Sequence, residues 1–145
     1  LAKQKISITL LPIKVNKIRM EIKHKIQFGT DSDELAKKVL TKEKIATSSL
    51  YDYYCMNLKD TIKENEYVSI LDSQNREICI IQITKIEIIE FQNITEEFAI
   101  AEGDGNLENW QKIHTEYYSL MLEKIGKSLT GETKLLCEWF TVITC

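Results

Sequence analysis

The sequence predicts an α+β fold: a small mixed β-barrel of about six strands, decorated by about three helices. Three observations lead there. From Ile18 to Phe28 alternation is strict, with Ile18, Met20, Ile22, His24, Ile26 and Phe28 on one face and Arg19, Glu21, Lys23, Lys25 and Gln27 on the other; period two is that of a half-buried strand. Two apolar runs between Glu66 and Phe91 flank the polar turn Ser73–Arg76, as in a hairpin. Leu107, Trp110, His114, Tyr117, Met121 and Ile125 recur at three and four, the period of a helix. Strands and helices do not alternate along the chain, so a barrel fits better than a parallel βαβ layout.

In chain order, Ile6, Ile8 and Leu10 suggest a short first strand, and Pro12 marks an edge or turn before the alternating strand. His24 lies on the apolar face of that strand, where a hydrogen-bonded core or rim histidine is expected rather than a ligand. Phe28–Ser32 is a turn; Asp31 or Ser32 can N-cap a helix running to about Lys42, with Leu35, Ala36, Val39 and Leu40 inward. Lys42 to Leu50 reads as the end of that helix followed by a capping cluster of hydroxyls. Tyr51, Tyr53 and Tyr54 fit neither period.

The second arm of the hairpin, Glu77 to Phe91, shifts its apolar phase from Ile81 and Ile83 to Ile86 and Ile88, which a bulge, or a bend where the strand rounds a barrel corner, would explain. Thr95 caps a short helix from Glu96 to about Glu102, ended by Gly103-Asp104-Gly105. Asn106 or Leu107 opens the long helix, and Gly126 closes it. Leu135 to Thr144 is a final strand, apolar on both parities and so covered on both faces.

The 145 residues, 43% hydrophobic and 28% charged, describe an ordinary globular domain able to bury its own core. No apolar run approaches the roughly 20 residues of a membrane span, and no secretory signal pattern opens the chain. Cys55, Cys79, Cys137 and Cys145 lack metal-site spacing; with only two histidines, neither metal nor cofactor is expected. Cys79 and Cys137 read as buried thiols in strands, and the compartment as reducing and cytoplasmic. The net charge of −3 hides an asymmetry: residues 1–28 carry Lys3, Lys5, Lys14, Lys17, Arg19, Lys23 and Lys25 against Glu21 alone. Such a basic arm either meets a polyanion or presents a solvated strand face.

No phosphate loop, dinucleotide fingerprint, metalloprotease motif or nucleophile elbow is present. Glu102-Gly103-Asp104-Gly105 follows a helix rather than a strand, so its glycines turn the backbone and leave Glu102 and Asp104 beside a cleft. Lys44 stands three residues before Thr47, and Ser48 and Ser49 follow. That is either a capped helix end or a reactive lysine–hydroxyl constellation. Trp110 and His114, one turn apart, are a stacking or proton-shuttling pair at a cleft or simply a packed helix face. Tyr51, Tyr53 and Tyr54 could stack a base or pack at the rim.

Several spaced blocks resemble the ASCH domain in its stand-alone bacterial branch. They are Val39-Leu40-x-x-x-Lys44-x-Ala46-Thr47-Ser48-Ser49-Leu50, Ile80-Ile81-x-x-Thr84, Phe98-Ala99-x-Ala101-Glu102-Gly103-Asp104-Gly105, Trp110-x-x-x-His114-x-x-Tyr117-Tyr118 and Cys137-Glu138-x-Phe140-x-Val142. They cover about residues 28–143 and stand in the family's order. The whole of 1–145 then reads as one ASCH domain, with 1–27 as divergent basic strands that inherit nothing from the family. Lys42 stands where the family usually has Gly, and Ile45 where Thr is common.

The resemblance implies a PUA-like barrel associated with RNA binding, with a cleft lined by the lysine loop. The expected partner is RNA or a nucleoside, not a membrane. Lys44 and Glu102 would be polar contacts, joined by Ser48, Tyr51, Asp104, Trp110 and His114. Some small ASCH proteins hydrolyse the acyl amide of N4-acetylcytidine with a lysine, a threonine and a glutamate, whose places here are Lys44, Thr47 and Glu102. A further alternative implied by the family is a metal-assisted ribonuclease, to which Glu102, Asp104 and Glu138 would offer hard ligands. Amide hydrolysis by Lys44 needs a neutral amine, because a free lysine with a pKa near 10.4 is almost wholly charged at pH 7. Lys44 and Glu102 are therefore expected to behave as a coupled pair sharing one proton.

Overall fold

A computed structural model describes residues 21–29 and 31–144 of the protein. The expected strand at Ile6–Leu10, the start of the alternating strand, most of the basic arm and Cys145 lie outside the described residues. The described chain runs β1 (Ile22–Gln27), α1 (Ser32–Leu40), β2 (Ala46–Leu50), α2 (Tyr51–Cys55), β3 (Tyr67–Leu71) and β4 (Glu77–Glu90). A 3-10 turn (Phe91–Asn93), α3 (Glu96–Ala101), α4 (Leu107–Glu123) and β5 (Lys134–Thr144) complete it. The strands form one sheet in the order β1-β3-β4-β5-β2, curled into a half-barrel. β1 runs parallel to β3, and the other pairs are antiparallel.

The α+β reading holds, with two differences of detail. The described residues hold four helices rather than about three, and five strands, with the expected strand at Ile6–Leu10 lying outside them. Ala46–Leu50, expected as a capping loop, is the edge strand β2, paired with Leu135–Trp139 of β5. Alanine, threonine and two serines have no strong strand preference of their own; the ladder to β5 and the burial of Ala46 and Leu50 make this segment extended. Tyr51–Cys55 follows directly as the short helix α2.

Local chemistry sets the helix starts. The Asp31 carboxylate accepts from Glu34 N–H, Thr95 Oγ1 from Phe98 N–H and Asn106 Oδ1 from Asn109 N–H, each cap being worth about 1 kcal/mol. Helix α1 ends at Leu40, short of Lys42, because Lys42 itself adopts φ +64° and turns the chain back. In the hairpin, the phase shift is a register irregularity between Ile83 and Lys85 on the β4–β5 ladder. It lets one 14-residue strand serve two neighbours: its first half pairs with β3 and most of its length with β5.

Two apolar clusters flank the sheet. One gathers Phe28, Val39, Ile62, Val68, Ile81 and Phe140; the other gathers Leu50, Phe98, Trp110, Tyr118, Leu135 and Cys137. Alternate residues of β5 feed each side, as its double apolar parity predicts. Cys79 and Cys137 are buried in strands, as expected, while Cys55 is exposed.

Candidate ligand-binding site

The lysine loop between α1 and β2 is stitched to three elements. Lys44 N–H donates to Lys38 O at 3.0 Å, Ile45 N–H to Ala101 O at 2.7 Å, and Phe140 N–H to Ile45 O at 3.0 Å. These bonds turn the Lys44 side chain inward, and only 3% of the residue is exposed. Its Nζ donates to Ala46 O at 2.8 Å and to Glu102 O at 3.3 Å, lies 3.5 Å from Glu102 Oε1, and stands 5.1 Å from the Phe28 ring centre.

Glu102 is placed by the end of α3. Gly103 follows at φ +92°, and a Cβ there would lie 3.3 Å from Lys38 Cδ and 3.5 Å from Lys44 Cβ. Glycine thus provides both the left-handed turn and the close approach of the lysine loop. Glu102 is 3% exposed and fully engaged. Ser48 donates its N–H to Oε1 and its hydroxyl to Oε2, both at 2.9 Å, and Trp110 Nε1–H donates to Oε2. Because the Ser48 hydroxyl proton goes to Glu102, Tyr118 OH donates to Ser48 Oγ, 2.6 Å away.

His114 stacks on Trp110 with ring centres 4.3 Å apart. Its Nδ1 meets Trp110 O at 2.9 Å; a carbonyl only accepts, so Nδ1 carries a proton. Nε2 then faces Glu102 Oε2 at 3.4 Å. Asp104 Oδ2, 3.6 Å from His114 Nδ1, has no hydrogen-bond partner among the described residues.

Burial pulls the Lys44 pKa below the ordinary lysine value, against the opposing charges of Glu102 and Asp104. For Glu102, burial pushes upward, but Lys44, His114, Trp110 and Ser48 together outweigh it and the net shift is downward. Asp104 is raised, chiefly by burial and against the pull of His114. The same desolvation that makes a neutral amine accessible at Lys44 is what the surrounding donors offset at Glu102.

This cluster closes one end of a cavity of about 800 Å³. Phe28, Tyr53, Tyr54 and Tyr117 supply aromatic wall, while Thr47, Ser48 and His114 add polar groups. Glu138, directly opposite Thr47 on the β2–β5 ladder, lines the same space. It is 2% exposed, and its Oε2 has no hydrogen-bond partner among the described residues. Burial pushes its pKa up to about 7, with Lys59 opposing.

The structure brings Lys44, Thr47, Ser48, Glu102, Asp104 and His114 to one cavity. Trp110 is fully buried and does not line the cavity; its indole N–H holds Glu102. Tyr51 does not line this cavity; it borders a separate depression with Asp52 and Lys127, while Tyr53 and Tyr54 take the places on the main wall. Glu102, Asp104 and His114 have ligand atoms within 4.8 Å of one another, close enough to share a cation. The Glu102 oxygens, however, already accept from Ser48 and Trp110, which disfavours a metal there. Glu138, grouped with Glu102 and Asp104 as a hard ligand on the sequence, is not part of that trio.

Tyr118 was hidden by the choice of phase: Trp110, His114 and Tyr118 form one ridge at steps of four, whereas the helical reading took Tyr117. Glu138 had a visible signal, a lone acid inside Leu135–Val142, a strand otherwise without charge and apolar on both parities.

No curated protein matches the chain at a significant level. Among solved structures, the ASCH domain of Lactobacillus crispatus JV V101 is similar at 25% identity and TM-score 0.79, with 84% of this chain and 80% of that one covered. Protein EF3133 of Enterococcus faecalis V583 is similar at 27% identity and TM-score 0.81, over 99% of this chain and 90% of that one. The model of the ASCH domain matches residues 24–144. From β1 through β5, with the lysine loop and the Glu102 turn closing its cavity, the chain belongs to the ASCH domain family.

Proposed function

We propose that the cavity receives a nucleobase or nucleoside, either free or presented by an RNA strand. One observation carries the reading: a buried Lys44–Glu102 pair lies at a roughly 800 Å³ space to whose wall Phe28, Tyr53, Tyr54 and Tyr117 contribute aromatic faces. A flat, polar-edged ring fits such a space, since aromatic faces stack bases and a few fixed polar groups orient them. The PUA-like fold, associated with RNA binding, supports the same reading. No helix among the described residues is long and apolar enough to cross a membrane.

A second reading, hydrolysis of the N4-acyl amide of N4-acetylcytidine, is favoured by the lowered pKa of Lys44 and the presence of Thr47 on the cavity wall. Thr47 Oγ would attack the acyl carbon while neutral Lys44 takes its proton. That proton then leaves with the cytidine N4, and water cleaves the acyl-threonine to the acid and free Thr47. Glu102 would hold Lys44 in place and share its proton.

One experiment addresses both readings. Calorimetric titration with cytidine, N4-acetylcytidine and a short single-stranded RNA should show binding, weakened about tenfold or more in Lys44→Met, as for loss of a buried charged contact. Failure of all three to bind would remove the nucleobase site. Incubation with N4-acetylcytidine should release cytidine if the second reading is right, at a rate reduced by about 100-fold or more in Thr47→Ala. Binding without release leaves recognition alone.

A further inference from the structure

Glu138 is a group that the lysine chemistry does not use. It interrupts an otherwise uncharged stretch of β5, is 2% exposed, and keeps a buried oxygen unpartnered among the described residues. An apolar side chain would suit that strand position better, because an unmatched buried carboxyl costs stability. It lines the cavity, as does Lys59, the cation among the described residues whose charge acts on it.

The chemistry of the missing partner follows from that of the group. A protonated carboxyl offers a donor and an acceptor side by side in one plane, whereas a carboxylate only accepts. An amidine-type edge, an exocyclic N–H beside a ring nitrogen, matches both states. With the acid neutral, the N–H donates to the carbonyl and the acid proton goes to the ring nitrogen. If the proton crosses over, the ring nitrogen keeps it and both bonds survive, with nothing gained or lost by the pair. The uracil edge, N3–H beside O4, also pairs with the neutral acid, N3–H donating to the acid carbonyl and O4 accepting the acid proton, but O4 cannot take that proton up, so the charge-assisted pair open to an amidine-type edge is closed to uracil.

We propose that Glu138 reads the ligand, its carboxyl pairing with the amidine-type edge of a base such as cytosine beside Thr47. This rests on the nucleobase reading of the cavity. Glu138 is then a specificity-determining residue, distinct from the Lys44–Glu102 end.

The test is calorimetric titration of the wild type, Glu138→Gln, Glu138→Leu and Lys44→Met with cytidine and uridine, after thermal melts show that each variant folds. The wild type should bind cytidine about tenfold or more tighter than uridine, the scale set by one charged-group hydrogen bond. Glu138→Gln presents a fixed donor and acceptor to either edge and should bring the two within about threefold, mainly by strengthening uridine. Glu138→Leu should weaken cytidine by about tenfold or more. Equal binding of both nucleosides by the wild type overturns the proposal. So does a cytidine preference that survives in Glu138→Gln and Glu138→Leu, and if Lys44→Met still loses binding in that case, the nucleobase site stands without Glu138. If neither nucleoside binds the wild type, the nucleobase reading fails and the proposal falls with it.

Discussion

Glu138 illustrates how a single side chain sets opposing demands on stability and recognition. Burial lifts its carboxyl to about 7 from an ordinary value of 4.5. The folded state therefore holds the proton more tightly than the unfolded chain. Stability from this group is greatest below pH 4.5, falls as pH rises from 4.5 to about 7, and the loss is complete above that. At 1.36 kcal/mol per unit, the loss is about 3 kcal/mol, undiminished by solvent because the side chain is almost wholly buried. Glu138→Gln does not titrate, so it should be more stable than the wild type at pH 8 and lose that advantage toward pH 5. Urea unfolding at the two pH values measures the difference, in which the other titrating groups cancel. A gap that does not change with pH would show that the carboxyl is not protonated on folding. Glu102 escapes such a cost because three donors and the Lys44 charge outweigh its burial, whereas Lys44, despite two carbonyls and a carboxylate, is still held below the ordinary lysine value by burial.

Among the elements, the lysine loop departs most from its easiest conformation. Lys42 sits at φ +64°, a region that costs a side-chain-bearing residue about 1–2 kcal/mol. Glycine, the residue that the family resemblance places there, removes that strain and gives back part of the gain as unfolded-chain entropy. Lys42→Gly should therefore stabilise the protein by about 0.5–1 kcal/mol, a rise in Tm of about 1–4 °C for a domain of this size. A melt that drops instead would mean that the lysine side chain makes up for its backbone. Elements governed by their own residues were legible in the sequence: the caps at Thr95 and at Asp31, one of two candidates there, the start of the long helix at Asn106, the irregularity after Ile83, the helical period of α4, and the part of the alternating strand that lies in β1. β2 was not, because its conformation is decided by a ladder to β5 about 90 residues away rather than by Ala46–Leu50 themselves. The site was legible unevenly for the same reason. Lys44 and Glu102 are 58 residues apart, and no local pattern joins them; only the order of the family's blocks did. Tyr118 was one helical step from the stripe that was read, and Glu138 was visible as an acid out of place.

For the whole molecule, the cavity matters because both apolar clusters contribute to it. Phe28 and Ile62 belong to the cluster under α1 and β3, while Leu50 and Tyr118 belong to the one under α3 and α4; all four line the same space. Among the described residues β1 stands at the edge of the sheet, with largely exposed side chains, and pairs with β3 alone. A ligand held between the clusters adds a further tie between β1 and α4, beyond the approach of Tyr117 to Gly29 just after β1. At a free concentration of about 100 Kd it should stabilise the fold by about 2.7 kcal/mol, or a Tm rise of about 5–10 °C for a domain of this size. The distribution of that gain is the stronger test. Amide hydrogen exchange with saturating cytidine should slow on β1 and on the cavity-facing turns of α4 together, because local opening of either releases the same ligand. Slowing confined to α4 and the lysine loop would place the ligand against Lys44 and Glu102 only, and the sheet edge would then be a wall that the ligand never touches.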